Sequence, residues 1–80
     1  MIVVNAIMKT NESNFETVKD AVKELEIKTR EEAGCIDYAF SLELYNDRII
    51  RITELWDNLQ SLKDHLKTDH VTEFVGSLAD

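Results

Sequence analysis

The sequence predicts an α+β domain of the ferredoxin-like, split βαβ kind, with one strand fewer than that fold usually has. Three observations carry this. In CIDYAFSLEL (35–44), Ile36, Tyr38, Phe40 and Leu42 fall on one side, and Cys35, Asp37, Ala39, Ser41 and Glu43 on the other, the alternation of a half-buried strand. A turn at Tyr45-Asn46-Asp47 and the β-rich run RIIRITELW (48–56) follow, which makes residues 35–56 an antiparallel hairpin. On either side of that hairpin, apolar residues recur at helical steps of three and four.

The elements follow in order. Ile2 to Met8 (IVVNAIM) is a β-branched run, apolar except for Asn5, and reads as a first strand. Ser13-Asn14-Phe15-Glu16 fits a capping box, with the Ser13 hydroxyl placed for the Glu16 N–H and the Glu16 carboxylate reaching back. The helix that starts there carries Phe15, Val18, Val22, Leu25 and Thr29 on one face and runs to about Glu32. Gly34 supplies a left-handed stop. After the hairpin, Asp57 is placed to cap a helix with Leu59, Leu62 and Leu66 as its stripe. Thr68-Asp69 interrupts it, and Asp69 is placed to cap a last segment with Val71, Phe74, Val75 and Leu78 as apolar positions. Strand, helix, strand, strand, helix, helix is most of a split βαβ domain.

Composition narrows the function classes. Eighty residues form one small domain that buries roughly 60% of the surface its unfolded chain exposes, which makes a lone monomer marginal. Cys35 is the single cysteine, so no intrachain disulfide is available, and no Cys/His cluster has structural-zinc spacing. Association with a second copy is the remaining route to stability, and a homodimer is expected. With 16 acidic against 9 basic side chains, net charge −7, the surface repels phosphate backbones, so nucleic acid is not an expected partner. MIVVNAIMKTNESNF has neither the basic start nor the long apolar run of a secretory signal, and no stretch approaches the ~20 apolar residues of a membrane span. A single thiol and no targeting segment point to the reducing cytoplasm. No cofactor is expected either. The two histidines, His65 and His70, are five residues apart rather than at the i, i+4 spacing of a helical metal site. With glycine only at 34 and 76, there is no phosphate-cradling loop.

Three stretches resemble the landmarks of the antibiotic biosynthesis monooxygenase domain. EEAGCIDY (31–38) is similar to its E-x-G-C turn into the second strand, ITELWDN (52–58) to the E-x-W end of the third, and HLKTDHVTEF (65–74) to its H-L-x-T-x-H-x-x-x-F helix junction. The intervals between them also suit that family. The resemblance implies a ferredoxin-like domain that pairs its sheet with a second copy into a dimeric α+β barrel, with one small pocket per subunit between sheet and helices. Ala33 and Asp69 depart from it, standing where the family most often has proline. Members also usually continue into a fourth strand flanking the first, whereas this sequence stops at Asp80. The first strand is then an exposed edge or is covered by a second subunit.

The chemistry implied by the resemblance is oxidation of a small phenolic or quinol-like compound by molecular oxygen, with no metal or flavin, the deprotonated substrate itself reducing the oxygen. The protein supplies a base, a hydrogen-bond partner for the developing enolate and a dry pocket. Histidine titrates near neutral pH. His65, three residues after Leu62, sits at the border of the apolar stripe and serves as the base if it looks inward; otherwise it is a half-exposed histidine. His70 either joins it at the pocket or tethers the helix junction. Asn5, a lone amide in an apolar strand, needs a partner if buried; in related oxygenases an asparagine at this place faces the ligand, and a structural hydrogen bond is the alternative. Trp56, Tyr38, Phe40 and Phe74 are candidates to line an aromatic pocket, or else are core. Glu54 shares a strand face with Ile52 and Trp56 and is expected in a polar interaction, such as an ion pair across a dimer. Cys35 reads as a small buried hydrophobe. Heme oxygenation is not supported, because His65 and Val75 stand where heme-degrading relatives have tryptophan and the axial histidine. A non-catalytic dimeric binding or regulatory module and a non-oxidative isomerase or cyclase relative remain open alternatives.

Overall fold

A computed structural model describes residues 1–78. The elements are β1 (Ile2–Lys9), α1 (Phe15–Arg30), β2 (Cys35–Glu43), β3 (Asn46–Trp56), α2 (Leu59–His65) and α3 (Asp69–Ser77), the order expected from the sequence. Both outer strands pair antiparallel with β3, giving the sheet order β1-β3-β2. The fold is thus α+β and ferredoxin-like, with three strands and three helices among the described residues.

Register assigns each residue to a face. Ile2 lies opposite Trp56, Ala6 opposite Ile52 and Met8 opposite Ile50, with Tyr38 opposite Glu54 and Phe40 opposite Ile52 on the other flank. Directly opposed residues share a face, and this one is covered by the helices. Leu25, Tyr38 and Trp56 form the core there, with Ile2, Cys35, Phe40, Leu62, Val71 and Phe74 packed against them. The stripe on α1 holds, since Val18, Leu25 and Thr29 are its buried residues. The other face carries Val3, Asn5 and Ile7 from β1 with Leu55, Thr53 and Arg51 from β3, and no element among the described residues covers it.

The two sheet edges differ. At β2, the Glu26 carboxylate accepts from the Phe40 N–H at 2.9 Å and the Arg30 Nε–H donates to the Tyr38 carbonyl at 2.9 Å. Helix α1 therefore occupies backbone groups that would otherwise invite another strand. The outer edge of β1 pairs with no strand among the described residues.

Local signals shift where a side chain finds a better partner. No capping box forms. The Ser13 hydroxyl donates to Asn11 Oδ1 at 2.6 Å, and Asn14 is the N-cap with no side-chain cap bond of its own. The turn of the hairpin is Leu44-Tyr45, one residue earlier than expected. The caps of the last two helices are likewise displaced by one, to Asn58, whose Oδ1 accepts from the Ser61 N–H at 2.9 Å, and to Thr68. A bulge between Cys35 and Asp37 swings Cys35 onto the covered face and leaves Ile36 half-exposed, which breaks the strict alternation expected for β2. Helix α2 presents Leu62 and His65 inward, while Leu59 and Leu66 remain largely exposed. The buried stripe is therefore rotated from the leucine pattern.

Candidate functional site

The end of α1 builds the site. The helix stops at Arg30, and the Glu31 and Glu32 N–H groups donate to the Lys28 and Thr29 carbonyls. The chain then reverses through Gly34, whose φ of +84° lies in the left-handed region that glycine enters without strain. A side chain there would also collide with Ser61 and Asp57, since an added Cβ falls 2.5 Å from Asp57 Oδ1. This tight reversal lays Glu32 against the junction of α2 and α3.

There one Glu32 carboxylate oxygen, Oε2, lies 2.7 Å from His65 Nδ1 and 2.7 Å from His70 Nε2. An ionised carboxylate only accepts, so both imidazoles donate, His65 through Nδ1–H and His70 through Nε2–H. The pairing explains why the only two histidines of the chain stand so close together. The junction between them is fixed by Thr68, whose hydroxyl donates to the His65 carbonyl at 2.7 Å and accepts from the Val71 N–H.

The two histidines differ in access. The His65 residue is 2% exposed, with its ring centroid 4.7 Å from Trp56 and 5.3 Å from Tyr38. It is neither a border residue nor a half-exposed one. The His70 side chain retains 17% exposure and lines a cavity of about 150 Å³ between α1 and α3, together with Leu25, Lys28, Glu73 and Phe74. Burial pushes the Tyr38 phenol well above its ordinary range, with the Glu54 carboxylate adding to the effect, so that phenol stays protonated. Burial likewise raises the Cys35 thiol, helped by Glu32; a protonated thiol is a poor nucleophile.

The other candidates are dispersed. Trp56 is completely buried, and its indole N–H donates to Glu54 Oε1 at 2.9 Å, so Glu54 finds its partner within the chain. Tyr38, Phe40 and Phe74 continue the aromatic row edge to face, with centroids 5.6 and 5.9 Å apart. Phe40 also borders a second cavity, of about 310 Å³, beside Phe15, Val22, Leu42 and Ile50. Asn5 is exposed on the uncovered face, opposite Thr53, and the sheet separates it from both histidines. Glu32 went unassigned in the sequence although it is the acid of the E-x-G-C landmark. The available signal was that landmark acid together with two nearby imidazoles in need of an acceptor.

Comparison with known proteins bears on the fold and on the family. Three solved structures superpose over nearly the whole chain. A conserved protein from Methanosarcina mazei has a TM-score of 0.91 at 31% identity over 96% of this chain and 76% of its own. A conserved protein of unknown function from Bacteroides thetaiotaomicron, described as a possible oxidoreductase, has 0.87 at 34% over 92% and 79%. A Deinococcus radiodurans protein described as a "putative antibiotic biosynthesis monooxygenase" has 0.92 at 27% over 98% and 77%. No curated protein matches the sequence. The family model for antibiotic biosynthesis monooxygenase matches residues 1–77. With that match spanning the Glu32 turn, the Trp56 strand end and the histidine junction alike, the chain belongs to the antibiotic biosynthesis monooxygenase family.

Proposed function

We propose that the chain is a monooxygenase acting on a small phenolic or quinol-like substrate without a prosthetic group, with His70 as its base. Family membership supports a monooxygenase-like role. The observation that carries the residue assignment is that one Glu32 oxygen holds both imidazoles while His70, and not His65, lines the cavity between α1 and α3. With Nε2–H donated to Glu32, Nδ1 of His70 is the free basic nitrogen. It takes the substrate hydroxyl proton, and the adjacent carboxylate stabilises the imidazolium that forms. The resulting anion is the electron donor to oxygen. Leu25 and Phe74 supply apolar walls. His65 is a positioning residue, clamped by Trp56 and Tyr38, that fixes the carboxylate.

The working unit in this reading is a homodimer in the cytoplasm. Val3 and Ile7 are 62% and 56% exposed on the uncovered sheet face, and a second copy laid against that face removes them from water. Asn5 then belongs to the interface rather than to the reaction. No helix among the described residues is long and apolar enough to cross a membrane, and the lone thiol suits a reducing compartment.

One observation favours a second reading, a dimeric small-molecule-binding or regulatory module. The larger cavity, beside Phe15, Phe40 and Ile50, holds no histidine and would accept an apolar ligand without reacting. Ligand-detected NMR with a panel of quinols, followed by oxygen-electrode measurements, separates the two. Binding with oxygen uptake is the expected result. Binding without uptake selects the module, or a non-oxidative isomerase or cyclase relative, and overturns the monooxygenase reading.

A further inference from the structure

We propose that Glu32, His65 and His70 form a binding site for one divalent transition ion of the zinc class, a capacity separate from the proton transfer assigned to His70. The three donors come from three parts of the fold, the α1–β2 turn, the end of α2 and the first turn of α3. They nevertheless converge, with one ligand atom from each lying within 4.8 Å of the others.

The donor set selects the ion. Two imidazole nitrogens and one carboxylate oxygen suit zinc and its first-row neighbours and leave at least one position open for water. Calcium and magnesium are disfavoured, because they require several oxygen ligands. The charge also fits: two neutral imidazoles and one carboxylate leave a negative charge in a largely buried place, on a chain of net charge −7.

Geometry asks for only a small adjustment. Zinc holds such ligands at about 2.0–2.2 Å, so donors around one ion stand roughly 3.3 Å apart. The two 2.7 Å contacts to Glu32 open slightly, and the imidazoles close around the ion in place of two shared protons. Glu32 and His70 keep 15% and 17% side-chain exposure, which provides an entry path, whereas His65 is a fixed wall packed on Trp56. Neither His65 Nε2 nor His70 Nδ1 has a hydrogen-bond partner among the described residues, so the outer support that strengthens metal-bound histidines is missing. The site is therefore one of moderate affinity. An ion on His70 Nε2 would leave the ring's remaining proton on Nδ1, the nitrogen assigned as the base, and would take the Glu32 carboxylate from it, making metal binding and turnover mutually exclusive.

The test uses the whole chain, freed of metal by a chelator and titrated with Zn²⁺ while the imidazole resonances are followed by proton–nitrogen NMR. With only two histidines, each ring is resolved in the wild-type protein. One equivalent of Zn²⁺ is expected to move both rings, Co²⁺ to give visible absorption of the bound ion, and Mg²⁺ to do neither. In His70→Ala and Glu32→Gln, Zn²⁺ affinity by calorimetry is expected to fall at least about tenfold. The proposal is overturned if saturating Zn²⁺ leaves either ring unmoved in the wild type, a readout independent of whether the variants fold. It is also overturned if a folded variant binds the ion as tightly as the wild type. Zinc uptake and oxygen uptake are measured separately, so failure of this site leaves the base role of His70 standing.

Discussion

The two faces of the sheet use similar side chains to opposite ends. On the covered face, Trp56, Tyr38 and Ile50 are buried, and most polar groups among them are paired: Trp56 with Glu54, and His65 and His70 with Glu32. On the uncovered face, Val3, Ile7 and Asn5 stand in solvent, although they alternate along the same strand with Ile2 and Val4. A polar group therefore acquires a role from its face and not from its place in an apolar run. Asn5 interrupts such a run without penalty within one chain because no described residue buries it, while Glu32, in a charged stretch of sequence, becomes the hub of the site.

The covered face can be broken most severely at its centre. Trp56→Ala removes a fully buried indole and strands the Glu54 carboxylate, and is expected to cost about 3–5 kcal/mol, enough to leave a domain of this size largely unfolded in far-UV circular dichroism. Retained cooperative melting would show that the covered face is not the stability core.

Next in size, the two histidines are expected to divide their effects. His70→Ala should lower quinol-dependent oxygen uptake by ~10²-fold, the usual scale for losing a general base, with a small change in melting temperature. His65→Ala empties a buried place beside Trp56 and leaves Glu32 with one partner, costing roughly 1–3 kcal/mol. Paired melts and uptake rates check the ranking, and the reverse ranking would return the base to His65, as its sequence position first suggested.

The uncovered face is probed by Ile7→Asp. Because Ile7 is 56% exposed, the fold of one chain should be little affected. Association should weaken by roughly 2 kcal/mol, about thirtyfold in Kd. Sedimentation equilibrium reads this directly, and an unchanged dimer, or a wild-type monomer, removes that face from the assembly.

Alkaline titration probes the covered face at Tyr38. Burial raises the Tyr38 phenol above its ordinary 10.0, so its contribution is fully present below pH 10. Above that, the unfolded chain loses its proton first. Stability should fall by about 1.4 kcal/mol per pH unit until the folded phenol also ionises. Urea unfolding at several alkaline pH values should show a shallower decline in Tyr38→Phe. Equal slopes would mean that the phenol is not desolvated.

The smallest effect concerns Thr29, completely buried, whose hydroxyl faces the Tyr38 phenol but makes no hydrogen bond of good geometry among the described residues. Thr29→Val keeps the shape and removes the desolvation cost, so stability is expected to rise by about 1 kcal/mol. A lower melting temperature would reveal a partner for that hydroxyl.

Much of the fold was legible in the sequence because periodicity is a local property. Alternation marked β2, a β-rich run marked β3 and the steps from Phe15 to Thr29 marked α1, and all three elements are present in the structure, because neighbouring residues largely decide which side of an element is apolar. The E-x-G-C, E-x-W and histidine landmarks likewise identified the family from residues close together in the chain. The caps were less legible, since Ser13, Asp57 and Asp69 compete with neighbours one or two residues away for the same N–H groups. The tertiary structure alone decided that Glu32 meets His65 and His70, which are 33 and 38 residues further along, that a bulge turns Cys35 inward, that α2 rotates to bury His65 in place of Leu66, and that Asn5 lies across the sheet from the histidines. Each of these depends on strand register and helix rotation. Both are settled when the whole sheet packs against all three helices, and no local pattern of residues encodes them.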